Sequence, residues 1–171
     1  MARPRTAGKA ATAPRHKAQT ARIGVQIAAR YRDRVKPSVV RKAARAALEQ
    51  ARIKRRVELT IVVTDNAQLR ALNRAFRKVD APTDVLSFSA DDQPSSDLVY
   101  LGDVVISYPL ARAQARSGGH PAEAELQLLV VHGVLHLLGH DHYDEAEKKV
   151  MWKAQAAVLK KLGAAITEPK L

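Results

Sequence analysis

The 171-residue sequence contains no cysteine. Disulfides and thiolate metal ligands are therefore excluded, and any metal site has to be built from His, Asp or Glu. The sequence also lacks a run of ~18 apolar residues, so nothing in it reads as a membrane span. Its N-terminal stretch lacks the apolar centre of a secretory signal. With no thiols to oxidise and no membrane partner, the expectation is a soluble, cytoplasmic protein. No internal repeat is evident.

Acidic residues are scarce in one region. Residues 1–56 hold 17 Lys/Arg against two acids, Asp33 and Glu49, a net of +15; the remainder holds 12 Lys/Arg against 15 acids, a net of −3. The overall +12 thus belongs to the N-terminal third. Concentrated positive charge attracts polyanions, of which nucleic acid and the ribosome are the usual ones in a cytosol. Hydrophobic residues make up 46% of the chain, and its length suits one domain with a real core.

Residues 1–21, rich in Ala, Pro, Thr and Arg, read as a disordered basic tail. They are too short and Pro-broken to favour an organelle presequence. A single domain is expected over 22–165, followed by a short C-terminal tail at 166–171. Ile23–Ile27 suits a first, weak strand. Pro37 suits the start of a helix, where its missing N–H costs nothing. Val40, Ala44, Ala47, Leu48 and Ala51 would form that helix's apolar face, with Arg41, Lys42, Arg45 and Arg52 on the others.

Val57–Thr64 is β-branched and reads as a central strand. In the helix after it, capped by Asp65 or Asn66, Leu69, Leu72 and Phe76 recur at i, i+3 and i+7 and predict a buried stripe. Asn73 and Arg77 share one flank of that stripe. Residues 84–89 and 98–107 read as strands, 90–97 as a polar loop between them, and Gly102 as a bulge or close approach. Helices are expected at 109–116, 121–138 and 144–162, with Asp144 and Glu147 spaced as a capping box and Gly163 as a stop. Strands first and helices last predict an α+β fold: a small mixed sheet of about four strands packed with helices.

Four of the six histidines lie between His132 and His142. His132 and His136 stand at i and i+4 on an apolar helix, so their rings project from one face, one turn apart. Gly139 can take the left-handed conformation that ends a helix, returning His142 as a third ligand. Unpartnered imidazoles on an apolar helix are costly to bury; one transition-metal ion, zinc above all, resolves the conflict. Three nitrogen ligands leave a tetrahedral ion with an open position, as in catalytic sites. His140 is a candidate lining residue and Asp141 a candidate orienting or proton-handling group. The spacing H-x-x-x-H-x-x-G-x-x-H is that of metzincin proteases, whose general-base Glu directly follows the first His. Here Gly133 takes that position and can accept no proton. The helix is zincin-like, but the chemistry must differ.

Three motifs together resemble the YbeY family of bacterial endoribonucleases and rRNA maturation factors. They are Asn73-x-x-Phe76-Arg77 followed by Thr83-Asp84-Val85-Leu86-Ser87-Phe88, then Leu101-Gly102-Asp103-Val104-x-Ile106-Ser107, then the His132–His142 run. The resemblance covers roughly residues 57–162. The chain departs from the family in having Phe76 and His140 where Tyr is common, and Ser89 in place of a Pro. The resemblance implies a three-histidine Zn2+ site, a functional Arg77, and cleavage of single-stranded RNA. It also implies work on small-subunit rRNA at its 3′ end and in ribosome quality control, with the ribosomal small subunit and assembly factors as partners.

Hydrolysis of a phosphodiester would then use the ion to polarise a phosphoryl oxygen, to lower the pKa of bound water, or both. His132 and Arg77 would be catalytic, Arg77 by holding phosphate, with Asp141 beside them. Asp84 and Asp103 are candidates to orient ligands or pair with Arg77, or else they simply end strands. The competing class is a non-catalytic zinc-containing ribosome assembly factor.

Overall fold

The computed structural model describes residues 21–91, 97–164 and 166. Apart from Ala21 and Ile166, the expected basic tail and C-terminal tail lie outside the described residues, as does most of the loop between the third and fourth strands. The element order is β1 (Arg22–Ile27), a 3-10 turn (Ala29–Tyr31), α1 (Pro37–Gln50), β2 (Arg56–Thr64), α2 (Asn66–Leu72), a π-helical turn (Asn73–Arg77), β3 (Val85–Ser89), β4 (Leu98–Ser107), α3 (Tyr108–Gly118), α4 (Ala122–Leu137) and α5 (Glu145–Leu162). The sheet order is β1-β2-β4-β3. β1, β2 and β4 are parallel, and β3 runs antiparallel to β4. This is an α+β fold on a mixed four-stranded sheet. No helix among the described residues is long and apolar enough to cross a membrane.

β2 shows why one sheet face carries the core. Val57, Leu59, Ile61 and Val63 alternate inward and are buried, while Glu58, Thr60 and Val62 face the other way, half-buried. Each fully buried aliphatic side chain contributes roughly 1.5–3 kcal/mol. α1 packs on the inward face. Pro37 sits in its first turn, and Val40, Ala43, Ala44, Ala47 and Leu48 are buried. Ala51 falls just beyond the helix and is exposed, contrary to its place in the expected apolar face. The opposite sheet face holds a small cluster of Leu69 from α2 with Leu86 and Val105.

α4 is enclosed. Residues 125–135 are buried without a break; the run is mostly aliphatic, with Glu125, Gln127 and His132 as its buried polar members. It packs on α1, α3, α5, β3 and β4. Gly133 makes the close approach to the sheet possible: a Cβ there would lie 2.4 Å from Val104 Cγ1 and 3.2 Å from Ser87 Oγ. Ser87 Oγ donates to the Gly133 carbonyl at 3.0 Å and ties β3 to the same helical turn. The position that would carry a protease's glutamate is thus the contact point between helix and sheet.

A second expectation also fails. The stripe Leu69, Leu72, Phe76 assumed a continuous α-helix. The chain instead widens into a π-helical turn at Asn73, closed by Lys78 in the left-handed conformation. The wider turn changes which side chains face inward. Asn73 is buried and Phe76 is 66% exposed. Phe76 packs edge-on against Phe88 of β3, with ring centroids 5.0 Å apart.

Candidate metal centre

His132 and His136 project from the last turns of α4, as their spacing requires. α4 ends at Leu137 with Leu138 as its C-cap, and Gly139 follows with φ +84°. The His140 N–H bonds back to the Leu135 carbonyl at 3.0 Å, and the Gly139 N–H to that of His136 at 2.9 Å. This left-handed closure turns the chain across the helix end. Asp141 Oδ1 accepts from the His142 backbone N–H at 2.7 Å, so the carboxylate fixes the loop that presents His142. Ring centroids lie 4.7 Å apart for His132 and His136, 5.0 Å for His136 and His142, and 5.5 Å for His132 and His142.

One nitrogen from each of the three rings lies within 4.8 Å of the other two. The Nε2 atoms of His132 and His136 are 3.1 Å apart. Two ligands ~2.0 Å from a tetrahedral zinc would be separated by roughly 3.3 Å, so the three rings fit one such ion. The chemistry of the donors fits as well. His132 is 1% exposed. Burial, and then the neighbouring His136 ring, push its pKa down to about 3, against the hydrogen bond to Gln155 and the pull of Asp141. Burial, and then His142, likewise lower His136. Rings kept neutral present the lone pairs a metal requires. His132 Nδ1 donates to Gln155 Oε1 at 3.1 Å, which leaves Nε2 free to face the other rings.

Gln155 is fully buried on α5, and the sequence reading missed it. The available signal was a polar residue on the stripe formed by Met151, Val158 and Leu159. Trp152, from the same helix, stacks edge-on against His132 and His142 at 5.9 and 5.5 Å.

The rings open into a cleft of about 690 Å³ whose walls include Arg77, Thr83, Asp84, Ser87, Gln114, His140 and Asp141. Arg77 is exposed, yet close enough that its charge lowers His136. Asn73 supports this wall, its Nδ2 donating to the Ala81 carbonyl at 2.8 Å. Asp84 is buried. It accepts from Gln114 Nε2 at 2.8 Å and from the Val85 N–H at 2.8 Å, so it ties β3 to α3 beneath the cleft. Asp103 is not brought to the site. It lies on the other sheet face and accepts from the Tyr100 hydroxyl at 2.8 Å. The cause is Gly102, whose φ of +129° and bulge against Leu59 shift the alternation of β4 by one residue.

The fold resembles the solution structure of TM1509 from Thermotoga maritima, with a TM-score of 0.54 and 22% identity, over 87% of this chain and 99% of that one. Endoribonuclease YbeY of Roseiflexus castenholzii is 42% identical over 82% of this chain and 92% of its own length. Endoribonuclease YbeY of Gloeobacter violaceus is 54% identical, over 61% of this chain and 56% of its own length. The family model of endoribonuclease YbeY matches residues 26–163, a span that takes in all four strands but the first residues of β1, and both halves of the histidine cleft. On that match, and on the likeness to the Roseiflexus protein over most of both chains, this chain belongs to the YbeY family.

Proposed function

We propose that this protein is a zinc-dependent endoribonuclease that cuts single-stranded RNA in the cytoplasm. Its work is the maturation of small-subunit rRNA at the 3′ end and ribosome quality control, beside the small subunit and its assembly factors. The observation that carries the reading is the meeting of Arg77 with three metal-competent histidines in one cleft, although 55 positions separate Arg77 from His132. A cation clamp beside a Lewis-acid site suits a phosphodiester, whose charge grows in the transition state.

His132, His136 and His142 hold the ion, which when bound supplies Lewis acidity and an activated water. Gln155 fixes the His132 ring so that Nε2 faces inward. Asp141 sets the approach of His142 through its backbone. Arg77 grips the non-bridging phosphate oxygens with its planar fork. A single strand suits the cleft because its backbone can enter without a paired partner.

The test is cleavage of single-stranded RNA by pure, zinc-loaded protein, with Arg77→Ala at equal zinc content and equal melting temperature. An exposed Arg77 contributes little packing, so stability should change by about 0.5 kcal/mol or less. Loss of a transition-state phosphate contact should slow cleavage by roughly 30- to 1,000-fold. Equal rates would remove Arg77 from catalysis and move a non-catalytic assembly factor ahead. Chelator-sensitive cleavage of an unfolded protein would overturn the substrate class.

A further inference from the structure

The cleft uses little of the chain's positive charge. Residues 21–56 hold twelve Lys/Arg against Asp33 and Glu49, a net of +10. On α1 the charge is ordered. The buried residues Val40, Ala43, Ala44, Ala47 and Leu48 turn one side to the core. Arg41, Lys42 and Arg45 therefore fall together on the exposed side, with Arg52 just past the helix. None of these four forms an ion pair with a described residue, whereas nearby Arg30 pairs with Asp65 at 3.0 Å. Glu49 is the one acid on that stripe.

Neighbouring elements extend the face. Arg41 Nε donates to the Ile23 carbonyl at 3.4 Å, which leans its guanidinium over the edge strand β1. Lys161 of α5 donates to Gln50 Oε1 at 2.8 Å, which brings a further cation to the C-terminal end of α1. A surface that only keeps a protein soluble interleaves both signs. Here like charges crowd one side while residues 57–171 carry a net of −3, and a polyanion relieves the repulsion.

The face and the cleft lie toward opposite edges of the sheet. β1 and β3 are the outer strands, three strand spacings or about 14 Å apart. β1 borders α1, whereas Ser87 and Ser89 of β3 line the cleft. One RNA molecule can therefore touch both without competing for the same groups.

We propose that the outer face of α1, centred on Arg41, Lys42 and Arg45, is a second RNA-binding surface. It grips the phosphate backbone of a structured part of the substrate while an adjoining single strand enters the metal cleft. The proposal rests on the RNA reading of the cleft for the identity of the polyanion. Phosphate contacts carry no sequence information but fix orientation, so this face would decide which exposed strands reach the histidines.

The test compares wild type with the triple variant Arg41→Gln/Lys42→Gln/Arg45→Gln, with both also made as Arg77→Ala proteins so that binding is measured without cutting. The probe is a labelled RNA hairpin with a single-stranded 3′ tail, titrated at several salt concentrations. The three positions are exposed, so a melting temperature equal to wild type is expected and checks folding; Arg41→Gln alone serves if the triple variant is unstable. Expected results are hairpin binding about tenfold weaker and a salt slope lower by about 2–3, with an unchanged kcat on a short single-stranded oligonucleotide. An unchanged affinity and slope would overturn the proposal. So would an equal loss from Arg112→Gln/Arg116→Gln on α3, which would reduce the effect to net charge. A third overturning result is capture of wild type by mixed phosphatidylglycerol–phosphatidylcholine vesicles, abolished in the triple variant while hairpin binding is not. If wild type cuts no RNA, the reading of the cleft fails, whereas the hairpin salt slope still decides this one.

Discussion

Substituting Gly133 by Ala should separate two opposing effects of known size. Gly costs a helix interior about 1 kcal/mol relative to Ala, so the change would stabilise α4 if space were available. The added Cβ would lie 2.4 Å from Val104 Cγ1 and 3.2 Å from Val104 Cγ2. Turning the valine to relieve the closer contact would push a methyl into other packed atoms, because Val104 is fully buried. Helix and sheet must therefore move apart by about an ångström, and overpacking of this kind costs roughly 1–3 kcal/mol. With the larger part of that range expected, Gly133→Ala should lose about 1–2 kcal/mol net.

The damage should reach the metal centre, because the preceding residue is His132. Zinc affinity, measured by competition with a chromogenic chelator, should fall together with stability. Val104→Ala alone should cost about 2 kcal/mol through the cavity it leaves. Combined, the two changes should cost clearly less than their sum, because the valine's missing methyls leave room for the new Cβ. Denaturant unfolding of the four proteins gives the cycle. A Gly133→Ala protein more stable than wild type, with unchanged zinc affinity, would refute the close-contact argument.

Other outcomes are expected at the same site. His132→Ala and His136→Ala should each lose bound metal by elemental analysis, and full occupancy in both would displace the site. Gln155→Leu should weaken zinc binding by roughly 10- to 100-fold while leaving a folded protein, since the His132 ring loses its orienting acceptor; an unchanged affinity would make Gln155 a packing residue. The chelated protein should weaken as pH falls. Below 6.5 the unfolded chain takes up a proton that folded His132 refuses until about pH 3, so the folded state loses about 1.4 kcal/mol per pH unit in that window. The loss from pH 7 to pH 5 should be about 2 kcal/mol by urea unfolding, and equal stability at both values would contradict the burial argument.

The histidine run was legible because its geometry is local: i, i+4 spacing and a glycine stop place two rings and return a third. α1, β2 and α5 were legible for the same reason, through one period and one cap each. Asp144 accepts from the Glu147 N–H at 2.8 Å, as the capping signal implied. Phe76 was misplaced because a π-helical turn has no signature in apolar spacing. Asp103 stands away from the cleft because a bulge at Gly102 inverts every face beyond it, and sequence offered Gly102 as either a bulge or a close approach. It is both, for a Cβ at Gly102 would meet the Phe88 carbonyl at 2.0 Å. Gln155 and Trp152 lie about twenty residues from His132, and helix packing alone makes them its neighbours.

The chain has one tryptophan, and the fold sets it edge-on against two of the three candidate ligands. Indole emission is sensitive to nearby charges and dipoles, and no second indole is present to dilute the signal. The protein therefore carries its own optical gauge of the centre. Metal arriving at His132 and His142, or leaving them, should register in the colour and intensity of Trp152 without any label.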